Sequence, residues 1–403
     1  MSLKKVYAIF LFALSPIAGL LFLLHKLKRS QLNLLYVFVA LLFSLMLFKS
    51  PPIDDLYRYL QLFDQSSTYH ISSIGDISSY TSFYFISKFY IFFGIPFFYI
   101  PFFYIFISIF FYLKSADIVF KKNEWSIKYY LFVLLGLLII IDPILASLGL
   151  RFSAASAIFS YGVMLSLVDN NRKGFIYVFL SVFFHLSIIY LIIYFILSFF
   201  FIANKKTALI LSIASLFLSG VFIKNAADYI PFVNISQQLL DYMDNRGTGY
   251  DPDAILGGSA IVVVFLARSK QIIFWILYYI SPQLKDKRLG RFSNALNILS
   301  IGVCLSALTP IIFFRYAFGV LPLIYIFMSI VFYTYRSKLV LFFLLIYMTA
   351  QFLIVDLYIK KDSLLYGKPI QMIVFPIFQV VNYSDDDYRK HLRFIDEDGF
   401  YIK

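Results

Sequence analysis

The sequence predicts an all-α polytopic membrane protein of about 12 transmembrane helices. Three observations carry this. Of 403 residues, 61% are hydrophobic and only 14% are charged. The apolar residues fall in uninterrupted blocks of bilayer-crossing length rather than in alternation, which fits helices and not outer-membrane strands. The mean hydropathy is +0.83, and a soluble chain of this size could not bury that much apolar surface.

The spans read along the chain are 6–24, 32–48, 95–113, 128–145, 152–168, 174–184, 185–203, 207–223, 259–281, 292–314, 316–334 and 338–356. Block 6–24 lacks a small-residue cleavage site and reads as a retained helix, not a signal peptide. Stretch 174–203 is long for one crossing, so it reads as a half-helix up to His185 followed by a return helix. Segment 78–93 begins polar and carries Lys88, which predicts an interfacial helix. Residues 1–356 form one membrane domain, and 357–403 form a C-terminal tail at the interface. Phe (49) and Tyr (32) are abundant, and many tyrosines sit at block ends, where an amphipathic ring suits the headgroup layer.

The net charge of +13 sits mostly in short loops, which signals topology and not nucleic-acid binding. Lys26, Lys28 and Arg29 share one loop, and Lys121, Lys122 and Lys128 another. Arg172/Lys173, Lys205/Lys206, Lys285/Lys287/Arg288/Arg291 and Arg336/Lys338 fill four more, all cytoplasmic by the positive-inside rule. Lys4 and Lys5 then fall on the outer face, against the rule. The outer face receives loops 49–94 and 224–258, which are longer and more acidic, and the tail. The single cysteine, Cys304, excludes an internal disulfide and a cysteine metal site. The four histidines show no ligand spacing, so no metal and no cofactor is expected. No internal repeat of the transporter kind is visible.

Ionisable residues at membrane depth are costly, so those beside the blocks are the functional candidates. In PPIDDLYRYLQLF, two prolines stop one helix and Asp54 can cap the next. Asp55, Arg58 and Tyr59 then share a helix face, as either a sugar- or phosphate-binding group or a local salt bridge. Arg151 opens a helix of small residues, Ser153 to Ala157, where it either points into a cavity and binds phosphate bidentately or snorkels to the surface. His185 is flanked by apolar residues and is either an acid/base group or a hydrogen-bonded strut. Arg315 lies at an outer corner as a ligand-binding group or an anchor. Arg246 lies in a turn-rich loop, and Arg268 interrupts an apolar segment where a cation calls for an anion.

Taken in order, D-x-x-R-Y (Asp55 to Tyr59), Arg151 opening a small-residue helix, H-L-S (His185 to Ser187) and R-Y (Arg315, Tyr316) resemble the EpsG-like branch of Wzy-type O-antigen and exopolysaccharide polymerases. The resemblance covers about residues 50 to 335. An Arg, ten residues, then Gly is also described in such polymerases, and Arg151 to Gly162 and Arg246 to Gly257 fit it. The resemblance implies a glycosyltransferase-C-like fold in the bacterial inner membrane with its active site facing the periplasm. It implies transfer of a growing undecaprenyl-pyrophosphate-linked glycan onto a new lipid-linked repeat unit. On that reading Asp55 or His185 activates the acceptor hydroxyl, with Asp55 preferred. Arg151 and Arg315 hold pyrophosphate, and Arg58, Tyr59, Arg246 and Arg268 assist binding. The partners are the lipid-linked oligosaccharide, membrane lipids and a candidate chain-length regulator. The alternatives are an O-antigen ligase and a lipid-linked oligosaccharide flippase.

Overall fold

A computed structural model describes residues 3–53, 55–66, 74–142, 149–226, 260–282, 284, 286–306, 310–335, 337–353 and 367–395, with side chains for all of these except 74–81, 216–226, 260–268, 271, 310–311 and 338. Among the described residues the regular structure is helical, as expected. By length and composition, four of the described helices can cross a membrane: Arg29–Met46, Tyr99–Asn123, Leu150–Leu167 and Ile312–Thr334. The chain divides into two compact units. The first comprises Met1–Leu165, Arg172–Ile188 and Phe352–Lys403, and the second Ser166–Asn171 and Ile189–Gln351.

The first unit opens with a correction. Block 6–24 is not one crossing but two short helices, α1 (Leu3–Leu14) and α2 (Pro16–Leu24), folded back on each other. Ser15 is extended before Pro16, as a residue preceding proline prefers. Gly19 lets the arms touch: a Cβ there would lie 2.4 Å from the Phe12 backbone. The hairpin brings the Lys4 ammonium back to the carbonyls of His25 and Lys26, 3.2 Å from the latter. Lys4 therefore shares an end with Lys26, which removes the violation of the charge rule that a single span creates.

Helix α3 (Leu32–Met46) pairs with α6 (Tyr99–Asn123), and their ends sort the unit into two poles. At one pole Arg29 Nη2 donates to Trp125 O at 3.2 Å and its guanidinium covers Phe120. Lys26, Lys121 and Lys122 gather there. At the other pole Phe48 meets Phe98 and Tyr99 edge-on, each at 5.0 Å between centroids. There α3 ends at Met46, Pro51 and Pro52 follow a turn over 47–49, and α4 (Asp55–Gln65) comes next, burying Leu56, Tyr59, Leu60 and Phe63. Asp54, expected as its cap, lies outside the described residues.

Helix α5 (Ile74–Phe92) covers the segment expected as an interfacial helix. Ser82 and Ser87 are buried, while Phe85, Phe89 and Phe92 are exposed. Polar groups inside and rings outside suit a lipid-facing helix. Helix α7 (Ile127–Ile141) is capped by Ser126, whose hydroxyl accepts from Tyr129 N–H. Helix α8 (Leu150–Leu167) carries the small-residue stripe, with Ala154, Ala155, Ala157, Ser156 and Ser160 at 0% exposure. That stripe admits close neighbours: a Cβ on Gly162 would lie 2.7 Å from Gly174 O and Val178 N, both on α9 (Lys173–Phe184). Helix α9 stops at Phe184 and α10 (Ile188–Leu197) starts at Ile188, so the expected break at His185 is present.

The second unit holds α10, α11 (Lys205–Ala226), α12 (Ala260–Ile280), α13 (Lys287–Leu305), α14 (Pro310–Thr334) and α15 (Lys338–Gln351). Asn294 and Asn297 on α13 satisfy the connection from α10 to α11. Asn294 donates to Ser198 O (2.8 Å) and Phe201 O (2.9 Å), and Asn297 donates to Ala203 O (2.6 Å). Lys205 is 6% exposed and is held by Tyr278 O (3.0 Å) and Ser281 O (2.9 Å), so its burial is compensated. Asp286 caps α13, and the Arg288 backbone N–H holds its carboxyl below the ordinary range.

Candidate functional site

The candidate site lies at the pole of the first unit that carries α4. Arg151 occupies the first turn of α8, where the helix dipole disfavours a cation. It is nonetheless 7% exposed. Its Nε donates to Tyr59 OH at 3.1 Å, and its guanidinium lies 5.2 Å from the Tyr59 ring centroid. One aromatic residue therefore meets the cation twice, and such a desolvated cation–π contact contributes ~2 kcal/mol. Tyr59 is backed by Phe83 of α5, ring to ring at 5.1 Å.

The next residue on α8, Phe152, meets the His185 ring edge-on at 5.5 Å. Arg151 and His185 are thus tied to consecutive positions of one helical turn. His185 caps α9, and its Nδ1 accepts the Ser187 backbone N–H at 3.2 Å, with the Ser187 hydroxyl 2.8 Å away. An acceptor at Nδ1 puts the proton of the neutral ring on Nε2. In that tautomer Nε2 carries the donor N–H. Just before it, Phe184 O accepts from the Ser82 hydroxyl at 3.2 Å, and Ser82 bonds Tyr104 OH at 2.8 Å. Tyr104 lies within electrostatic reach of both Arg151 and Tyr59. Five helices, α4, α5, α6, α8 and α9, therefore supply one polar cluster at this pole.

Asp55 and Arg58 lie on the outer side of α4. Their charges are 3.6 Å apart, with side chains 42% and 55% exposed. An exposed pair of this kind adds little stability, which leaves the carboxylate accessible. Arg315 lies in the second unit on α14, partly buried. Its neighbour Tyr316 stacks on Tyr190 at 4.7 Å, and Tyr190 donates to Gly302 O at 2.7 Å. Arg246 and the side chain of Arg268 lie outside the described residues. The first unit thus gathers Tyr59, Arg151 and His185 and sets Asp55 and Arg58 on the adjoining surface of α4.

Two charged clusters were not anticipated. Asp117 of α6, 2% exposed, accepts from Tyr36 OH and Lys121 Nζ, each at 2.8 Å, and Tyr36 OH reaches Tyr130 OH at 2.7 Å. The signal was present, since Lys114 and Lys121 flank Asp117 at helical spacing, but the expected span stopped at residue 113. The other is Arg389 with Asp64, 2.6 Å apart.

Neither the curated proteins nor the solved structures give a match to this chain. The model of the EpsG family matches residues 32–368, a stretch that contains α4, the first turn of α8 and the His185 break. The apolar helices and that match describe a membrane-integral protein of polysaccharide biosynthesis. The chain belongs to the EpsG family.

Proposed function

We propose that this protein is a Wzy-type polysaccharide polymerase of the bacterial inner membrane. It moves a growing glycan from undecaprenyl pyrophosphate onto the terminal hydroxyl of a new lipid-linked repeat unit, on the periplasmic side. The carrying observation is Arg151, a buried guanidinium held by Tyr59 at one pole of the first unit. A fixed cation in a dry site stabilises charge as it develops on a leaving pyrophosphate, without reorganisation. Arg also offers a planar fork that fits phosphate oxygens. The opposite pole carries Lys4, Lys26, Arg29 and Lys121, which supports placing the Arg151 pole outside.

The reaction asks little else of the chain. Bond formation between the anomeric carbon and the acceptor oxygen displaces pyrophosphate and releases the acceptor proton. Asp55 is the base, since its carboxylate stands accessible on the outer side of α4. His185 serves as a donor through Nε2, toward the pyrophosphate. Arg315 supplies a second cation, with Arg58, Arg246 and Arg268 assisting. The frame is a polytopic helical bundle in a glycosyltransferase-C-like arrangement.

The test is complementation of a polymerase-null strain. Alanine at Arg151 or Arg315 should leave single-repeat lipopolysaccharide at normal protein level. Full-length ladders from both variants would refute the assignment. Loss of the capped single repeat as well would identify a ligase instead.

A further inference from the structure

The C-terminal segment extends beyond the family-matched residues 32–368, yet it is built into the first unit. Three short helices, α16 (Pro369–Val374), α17 (Ile377–Val381) and α18 (Asp385–Arg389), run along the α4 pole. Tyr388 is 1% exposed and packs against Phe97 and Phe98 at 5.9 and 5.6 Å. Beside it, Arg389 forks onto Asp64: Nη1 to Oδ2 at 2.9 Å and Nη2 to Oδ1 at 2.6 Å. Its remaining Nε donates to Asp385 at 2.5 Å, which fixes the plane of the fork.

Asp64 stands in the last turn of α4, five residues after Tyr59. A carboxylate there opposes the helix dipole, and Arg389 offsets it. An 11-residue helix is marginal by itself and takes its position from what it is pinned to. At its start α4 carries the Asp55–Arg58 pair, in its middle the Tyr59–Arg151 contact, and at its end Arg389.

We propose that Arg389 is a positioning residue: by gripping Asp64 from the C-terminal tail it sets the position of α4, and with it the seat of Tyr59 beneath Arg151. The effect on polymer synthesis rests on the function proposed above, whereas the effect on α4 does not.

The experiment uses the full-length protein in native membranes, with Cys304→Ala and a reporter, Leu56→Cys, on the buried face of α4 beside Tyr59. The measurement is the rate of maleimide labelling at that thiol. Arg389→Ala and Asp64→Ala should each raise the rate roughly tenfold, equivalent to about 1.4 kcal/mol of docking. The double variant should be no faster than either single, because one contact is lost once. Arg389→Lys, which keeps the charge but not the fork, should fall between. Polymer yield, read with Leu56 restored, should drop in the same order. Unchanged labelling in both single variants, additive effects, or raised labelling with full polymer would each overturn the proposal. Full-length polymer from Arg151→Ala would instead sink the polymerase reading, and the labelling would still decide whether the tail holds α4.

Discussion

Arg151 and Tyr59, 92 residues apart in sequence, form a contact in which the same guanidinium bonds the phenol oxygen and covers the ring. The two components can be separated. Tyr59→Phe removes the hydrogen bond and keeps the ring. A hydrogen bond to a charged group contributes about 1.5–3 kcal/mol, so polymerisation should fall roughly 10- to 100-fold. Tyr59→Ala removes both components and should approach the Arg151→Ala level. Polymer formed per minute from purified lipid-linked repeat units, at equal protein, measures this. Equal activity in Tyr59→Phe and wild type would show that the hydroxyl does not orient Arg151.

The bond from Ser187 N–H to His185 Nδ1 divides the two candidate proton carriers. A donor role through Nε2 survives in His185→Gln, whose amide still donates, so that variant should keep at least a tenth of the activity. Asp55→Asn keeps the shape but cannot take a proton, and should lose ~10²–10⁴-fold. The reverse pattern, an inactive His185→Gln beside an active Asp55→Asn, would exchange the roles. Initial rates across pH 5 to 9 for the three proteins provide the comparison.

These contacts also explain which parts of the molecule were legible in the chain. Arg151 was visible because a cation opens a helix of small residues, Ser153 to Ala157, at membrane depth. The break at His185 was visible because 174–203 exceeds one crossing. The hairpin of α1 and α2 was hidden by an apolar run of about one bilayer thickness. Only Pro16 after Ser15, with Gly19 allowing contact, distinguishes it from a span. In segment 78–93 the inward bond of Ser82 was not legible, because its partner Tyr104 lies 22 residues away on another helix. The grip of Arg389 on Asp64 joins residues 325 apart, and no local pattern announces a contact of that range.

Gly162 offers a test of how α8 and α9 are held together. With its missing Cβ the two backbones approach until a methyl group would lie 2.7 Å from Gly174 O and Val178 N. The Arg–ten residues–Gly spacing from Arg151 to Gly162 thus has a packing reason at its glycine end. Overpacking of this kind costs typically ~1–3 kcal/mol. Gly162→Ala should lower the thermal midpoint of the detergent-solubilised protein, and Gly162→Val should lower it further. Because α9 ends at His185, polymer yield per folded protein should fall as well. A midpoint unchanged by Gly162→Val would refute the close approach.

The docked tail should respond to acid through His391. The residue lies half-buried two positions after Arg389, and burial holds its pKa below the ordinary 6.5. A folded pKa below the unfolded one means that protonation favours the undocked tail. The contribution is therefore fully present above about pH 6.5 and is lost as pH falls through the lower folded value. A reporter thiol at Val380, which is 3% exposed on α17, reads this directly. The ratio of its maleimide labelling in the native tail to that in a His391→Gln tail cancels the intrinsic pH dependence of the thiol. That ratio should be flat from pH 8 to 7 and rise between pH 6.5 and 5. A flat ratio over the whole range would show that the His391 ring keeps its partners when charged, and that the tail stays docked in acid.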